Sequence, residues 1–168
     1  MKPSPSSVSG FNMTELMVVV AIAGILATIA APSFKSLMQS QQVRSASYDL
    51  YSNLILARSE AIKRNGEVKI TKVPYPVASP TLHDEYGWTI VAISDGTIIR
   101  NQSQMKGVAV SVTPDDSPWV TYKGSGRAKT SPVFTLDAYG ETTIYLSCIR
   151  IELSGLPRIY KPTGGSCS

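Results

Sequence analysis

Sixteen consecutive residues, Leu16 to Ala31, read LMVVVAIAGILATIAA and contain one polar side chain, Thr28. No other stretch of the chain has this character, and an ordinary globular surface has no place for it. Sixteen residues fall short of the roughly 18 that mark a bilayer-spanning helix. Counted from Phe11 to Ala31 the segment has 21 residues. As a helix it is then about 30 Å long at about 1.5 Å per residue, which matches the hydrocarbon thickness of a membrane. Glu15 is the anomaly within it. A carboxylate in lipid costs about 2.5–3.5 kcal/mol at the helix centre and less near an end, so Glu15 implies a cationic partner or an interfacial position. A cleavable secretory signal fits poorly. The stretch MKPSPSSVSG carries a single Lys, and the small residues Ala21-Ile22-Ala23 sit mid-run, where cleavage would split the segment.

The apolar run reads as the first half of a longer element. Beyond Pro32, residues Val43, Ala46, Leu50, Leu54, Ala57 and Ala61 recur at spacings of 3 and 4, with Tyr48, Tyr51, Ile55 and Ile62 as a neighbouring stripe. This is the period of an amphipathic helix packed against a sheet. It predicts a helix from about Ser33 to Arg64, with Lys63 and Arg64 in the last turn and Asn65-Gly66 as the stop. Pro32 lacks an N–H, so a kink or weak point is expected there.

After Gly66 the pattern changes to period two, in short runs rich in Val, Ile, Thr and Tyr. Strands are expected at Glu67–Val73, Gly87–Ile93, Thr97–Arg100, Val108–Thr113, Trp119–Lys123, Val133–Asp137, Thr142–Leu153 and Arg158–Lys161. Ser94-Asp95-Gly96, Lys123-Gly124-Ser125-Gly126 and Tyr139-Gly140 supply turns, and the proline-rich stretch Pro74–Glu85 reads as a loop. The fold class is α+β: a long N-terminal α-helical spine, apolar then amphipathic, packed on a C-terminal antiparallel β-sheet domain.

Gly10-Phe11-Asn12-Met13-Thr14-Glu15-Leu16, followed directly by the apolar run, resembles the class III signal of type IV pilins and type II secretion pseudopilins. The resemblance implies a pilin fold with a leader at 1–10, a spine helix at 11–66 whose 11–31 part is the membrane and filament-core segment, and a β domain at 67–168. It implies that a prepilin peptidase cuts between Gly10 and Phe11 and methylates the new amine. Glu15 would then pair with the N-terminal amine of a neighbouring subunit, which would relieve the cost of its burial. Further along, Phe134-Thr135-Leu136, Tyr139-Gly140 and Ile149-Arg150-Ile151 before Ser154-Gly155 resemble minor pilins and minor pseudopilins of the GspH/FimT/FimU type. Those subunits are of low abundance and initiate or cap filaments, and some bind DNA for natural transformation. Expected partners are other pilin subunits, the peptidase and the inner membrane, which the chain would cross once with its β domain in the periplasm before reaching a surface pilus. A type II secretion pseudopilin is the alternative.

Charge is segregated along the chain. Lys35–Val73 holds seven basic and three acidic residues, Pro74–Tyr122 two and five, and Lys123–Ser168 six and three. The last set, Lys123, Arg127, Lys129, Arg150, Arg158 and Lys161 with Tyr160 beside it, is a candidate patch for the phosphates of double-stranded DNA, read without sequence preference. DNA-binding relatives of the FimT kind carry Gly-Arg-x-Arg near the end. The matching position here reads Gly155-Leu156-Pro157-Arg158, while Gly126-Arg127-Ala128-Lys129 offers a similar basic pair on another loop.

Cys148 and Cys167 are the only thiols, in a domain expected to face the periplasm, and a disulfide between them is expected. Its loop of about 20 residues is worth roughly 3 kcal/mol under the chain-entropy model. A single histidine, His83, stands beside Asp84 and Glu85 with no nucleophile or metal set attached, so neither an enzyme, a metal site nor a cofactor is expected. Asp115-Asp116, between Pro114 and Pro118, reads as a turn.

Overall fold

The computed structural model describes residues 12–73, 87–103, 107–114, 119–138, 146–162 and 164–167, and of residues 29–33 the helical backbone alone. The loop expected at Pro74–Glu85, the Asp115-Asp116 turn, the Tyr139-Gly140 turn and the Thr142–Tyr145 part of the seventh expected strand lie outside the described residues.

Helix α1 runs Met13–Arg64, 52 residues, and its backbone continues through Pro32. At its start the Asn12 carbonyl accepts the Glu15 N–H at 3.0 Å and the Leu16 N–H at 3.1 Å. At its end Asn65 adopts φ 47°. The Asn65 N–H donates to the Ile62 carbonyl and the Gly66 N–H to the Ala61 carbonyl, each at 3.1 Å. These are the two closing bonds of a Schellman cap, with Asn supplying the left-handed residue.

The chain divides into two compact units between Met38 and Gln39. In the first, the helical side chains from Leu16 to Leu26 are exposed, with the large apolar ones between 53% and 70% accessible. Among the described residues, no helix is long and apolar enough to cross a membrane.

The second unit combines the rest of α1 with eight strands. These are β1 Val68–Val73, β2 Gly87–Ala92, β3 Ile98–Gln102, β4 Val108–Thr113, β5 Val120–Tyr122, β6 Val133–Ala138, β7 Ser147–Ile151 and β8 Pro157–Tyr160. They form two antiparallel sheets of order β3-β2-β1-β5 and β4-β6-β7-β8. Where they can be compared, the strand ends lie within two residues of the expected ones, except the start of β7, at Ser147; β7 stops at Ile151, two residues before the expected Leu153. The cause is a tight hairpin: the Glu152 N–H donates to the Leu156 carbonyl at 3.1 Å and the Gly155 N–H to the Glu152 carbonyl at 2.7 Å. Glu152 and Leu153 therefore belong to the turn.

The core lies between α1 and the sheets. Val43, Ala46, Leu50, Leu54, Ala57 and Ala61 are all buried against Ile70, Trp88, Tyr122, Phe134 and Ile149. The neighbouring stripe behaves differently. Tyr48 and Ile62 are exposed, and Tyr51 and Ile55 are partly so. At about 100° per residue, the first set falls within about 40° of Leu50 around the helix, whereas the second lies about 100–160° away, where Tyr51, the nearest, still packs on the core. Two polar side chains on the buried side are satisfied locally: Ser47 Oγ donates to the Val43 carbonyl and Asn53 Nδ2 to the Asp49 carbonyl, both at 2.7 Å.

Gly155 has the least room of the described glycines. It has φ +87°, and a Cβ there would stand 1.9 Å from the Gly126 carbonyl oxygen. Gly155→Ala should therefore lower stability by roughly 3 kcal/mol, the upper end for a single substitution. Gly66→Ala is the control, because its Cβ would meet nothing closer than 3.6 Å, and it should cost less than about 1 kcal/mol. Thermal or urea unfolding of the two variants measures the difference.

Candidate functional site

Glu15 is the third residue of α1 and is exposed. Its position in the first helical turn places a carboxylate at the positive end of the helix dipole, an interaction of about 0.3–1 kcal/mol. Gly10 and Phe11 lie outside the described residues. The Cys148 and Cys167 sulfurs are bonded to each other. Cys148 is fully buried although its neighbours Ile149 and Ile151 take the core side of β7.

The six basic residues expected to form one patch fall into separate settings. Lys123 and Arg127 flank the turn that leaves β5. That turn is closed by the Lys123 N–H donating to the Arg127 carbonyl at 2.9 Å and the Gly126 N–H donating to the Lys123 carbonyl at 2.8 Å. Both side chains are exposed. Lys129, two residues on, is held by Glu67 at 2.7 Å. Arg150 and Arg158 face each other across the β7–β8 register. Arg158 pairs with Glu152 at 3.3 Å, and the Arg150 guanidinium lies 5.7 Å from the Tyr160 ring centroid. Lys161 lines a cleft beside α1.

Carboxylates also offset the basic end of the helix. Arg64 Nε lies 2.9 Å from Glu60, and a second Arg64 nitrogen lies 3.7 Å from Asp95. The Arg64 hydrogen bond is the main cause holding the Glu60 carboxyl below its ordinary range. The bond from Thr97 does the same for Asp95. Of the expected patch, Lys123, Arg127, Arg150 and Lys161 have no carboxylate partner among the described residues. The formal excess of the C-terminal third thus overstates the positive surface available to a polyanion.

Arg58 is the residue that sequence reasoning passed over. Its Nε donates to the Gly126 carbonyl at 2.9 Å and its terminal nitrogen to the Ser154 carbonyl at 3.5 Å. It ties α1 both to the turn after β5 and to the β7–β8 hairpin, which belong to different sheets. Its helical spacing puts it beside the core stripe, where an Arg reads as a solvated margin, so no local pattern marks this role. Arg44 was missed in the same way, and it stacks over the Tyr48 ring at 5.9 Å.

His83, Asp84 and Glu85 lie outside the described residues. Among the described residues, no group of three or more His, Cys, Asp or Glu side chains is placed to hold a metal ion.

Residues 46–155 match the family described as Type II transport protein GspH. A Pseudomonas aeruginosa protein described as "Fimbrial protein" is 32% identical over 127 residues, covering 66% of this chain and 82% of its own length. The crystal structure of the type IV minor pilin FimU of the same organism superposes with a TM-score of 0.57 at 17% identity, over 72% of this chain and 90% of that one. The minor pseudopilin EpsH of the Vibrio cholerae type 2 secretion system gives 0.54 at 13% identity, over 71% of this chain and 96% of the other. At these identities the two structures establish the shared fold.

Replacing Arg58 with Met keeps the aliphatic stem and removes both carbonyl contacts. Arg58→Met should cost about 2 kcal/mol, the worth of hydrogen bonds from a charged donor. It should also speed amide exchange at Gly126 and Gly155 more than at β1, as exchange with mass or NMR detection would show.

Proposed function

We propose that this chain, which belongs to the GspH family, is a minor pilin or minor pseudopilin of the FimU type with a filament-assembly role. The observation that carries the proposal is the first half of α1: Leu16, Met17, Val18, Val19, Val20, Ile22, Ile25 and Leu26 are each more than half exposed. Such an apolar surface belongs in lipid or among like helices. In this reading residues 1–10 are a leader removed by a prepilin peptidase between Gly10 and Phe11, with methylation of the new amine. Residues 11–31 anchor the subunit once in the inner membrane and later join a filament core. The 11–66 spine carries the 67–168 domain from the periplasm to the cell-surface pilus.

Glu15 supports this reading by magnitude. The helix dipole offers about 0.3–1 kcal/mol to a first-turn carboxylate. Placement in lipid costs about 2.5–3.5 kcal/mol at the centre of a span. An ammonium group from the N-terminus of a neighbouring subunit would close that gap, and it would make assembly of the anchored chain favourable. Glu15→Ala should leave the membrane level of the protein unchanged and reduce its amount in sheared filaments at least tenfold, read by immunoblot of the two fractions. Equal incorporation refutes the pairing.

A pilus tip and a type II secretion pseudopilus use the same assembly chemistry, and the matched family and both solved relatives are compatible with either. DNA capture is a second reading, supported by the exposed side chains of Lys123 and Arg127 and by the Arg150–Arg158 pair. It predicts a mobility shift of double-stranded DNA by the full-length chain in detergent, without sequence preference and lost on raising salt. Arg127→Ala with Arg158→Ala should abolish the shift. No shift at low salt removes this reading and leaves the assembly role standing.

A further inference from the structure

We propose that the cleft between α1 and β8 receives an extended acidic peptide of another polypeptide, which joins β8 as a fifth strand of the second sheet. β8 ends the order β4-β6-β7-β8 among the described strands. Beside it lies a cavity of about 530 Å³ whose lining includes Val43, Arg44, Tyr48, Leu146, Ile159 and Lys161. Tyr48 and Ile159 also line a second space of about 740 Å³ that continues past Tyr51 toward Pro157. Both volumes fall within the roughly 300–1,000 Å³ range of ligand sites.

The register shows why the cleft is open. Ile159 lies opposite Ile149, on the core side of the sheet. Ile149 is fully buried, whereas Ile159 is 36% exposed, Leu156 45% and Tyr48 54%. Among the described strands, the second sheet therefore leaves part of the helix face beneath it uncovered. Edge strands present backbone donors and acceptors to an incoming chain. A peptide paired with β8 would turn alternate side chains into the cleft, onto Tyr48 and Ile159, and the others toward Arg150 and Arg158 on the outer face.

Charge selects the peptide. The first cavity is lined by two cations, Arg44 and Lys161, and by no carboxylate among its described residues. The outer face beside β8 adds Arg150, while Arg158 there is paired with Glu152, which lines the second space. An alternating apolar–acidic segment matches both sides. Nucleic acid matches less well, because a strand edge offers groups at the spacing of a peptide backbone.

The test uses the full-length chain in nonionic detergent and a fluorescein-labelled octapeptide of alternating Val and Glu, read by fluorescence anisotropy. Saturable binding is expected. It should weaken at least tenfold for the Val-Lys octapeptide, for a Val-Glu peptide N-methylated along one edge, and on Arg44→Glu with Lys161→Glu. Both substituted side chains are exposed, so the double variant should fold. Amide exchange at Ile159 should slow when the Val-Glu peptide is bound. Absence of binding overturns the proposal, as does equal binding of the N-methylated peptide or indifference to the charge reversal. Displacement of the peptide by an equimolar oligothymidylate, or a dimer of the chain that the peptide fails to dissociate, also overturns it and assigns the cleft to nucleic acid or to a second copy.

Discussion

The globular unit depends on a strip of α1 that two sheets share. From Val43 to Ala61 the strip alternates bulk and smallness, with Leu50 and Leu54 in the middle and Ala46, Ala57 and Ala61 on either side. The two leucines, fully buried, each contribute roughly 1.5–3 kcal/mol. The alanines at the C-terminal end let the chain approach closely. There a Cβ at Gly124 would meet the Asn65 carbonyl carbon at 2.7 Å, and one at Gly126 would meet the Ile62 side chain at the same distance. The sheets also touch each other directly, where Trp119 meets Phe134 edge to face with centroids 5.7 Å apart. Both aromatic rings are buried, so this contact joins the β5 and β6 segments without help from polar groups.

Close packing at the helix end creates a polar demand that Arg58 meets. The turn after β5 and the β7–β8 hairpin each point a carbonyl at the same place, Gly126 and Ser154. One planar guanidinium can serve both, because its donors are fixed in a fork. Lys in the same position would offer a flexible point charge. Arg58 therefore acts as a structural cation, and the neighbouring Glu60 and Glu67 occupy Arg64 and Lys129. Much of the positive charge in this region is thus committed to holding the fold before any partner arrives.

What was legible in the sequence follows from which forces are local. The buried helix stripe was readable to the residue, because its six positions fall within about 40° of one line along the helix. The Asn65-Gly66 stop was readable because few side chains tolerate a positive φ. Strand positions were readable from alternation, but their partition into two sheets was not. The placement of β5 beside β1, with β4 in the other sheet, is decided by long-range packing that leaves no period in the chain. The pairing of two of the basic residues was not legible for a similar reason. Lys129 and Arg158 look like free cations in sequence, yet the fold brings Glu67 across 62 positions to the first and turns Glu152 back onto the second. Of the second apolar stripe, Tyr51 packs on the core while Tyr48 and Ile62 are exposed, because a spacing of three and four marks any helical face, whereas the angular offset from Leu50 decides which face the sheets cover.

The disulfide bears on the same region from the far side. Cys148 pairs in register with Tyr160, and its sulfur holds Cys167, beyond the end of β8. The chain therefore leaves β8 at Lys161 and returns to the strand next to it, which keeps the last strand of a Gly-rich tail from fraying. A four-residue strand with one hydrogen-bonded neighbour has little stability of its own. Closing it covalently ties β8 to β7 without dependence on a second neighbour among the described strands. The same closure fixes Arg150 against Tyr160 and keeps Lys161 at the mouth of the cleft. The charges that distinguish this face are thus set by a cross-link and a register, while those at the helix end are set by ion pairs.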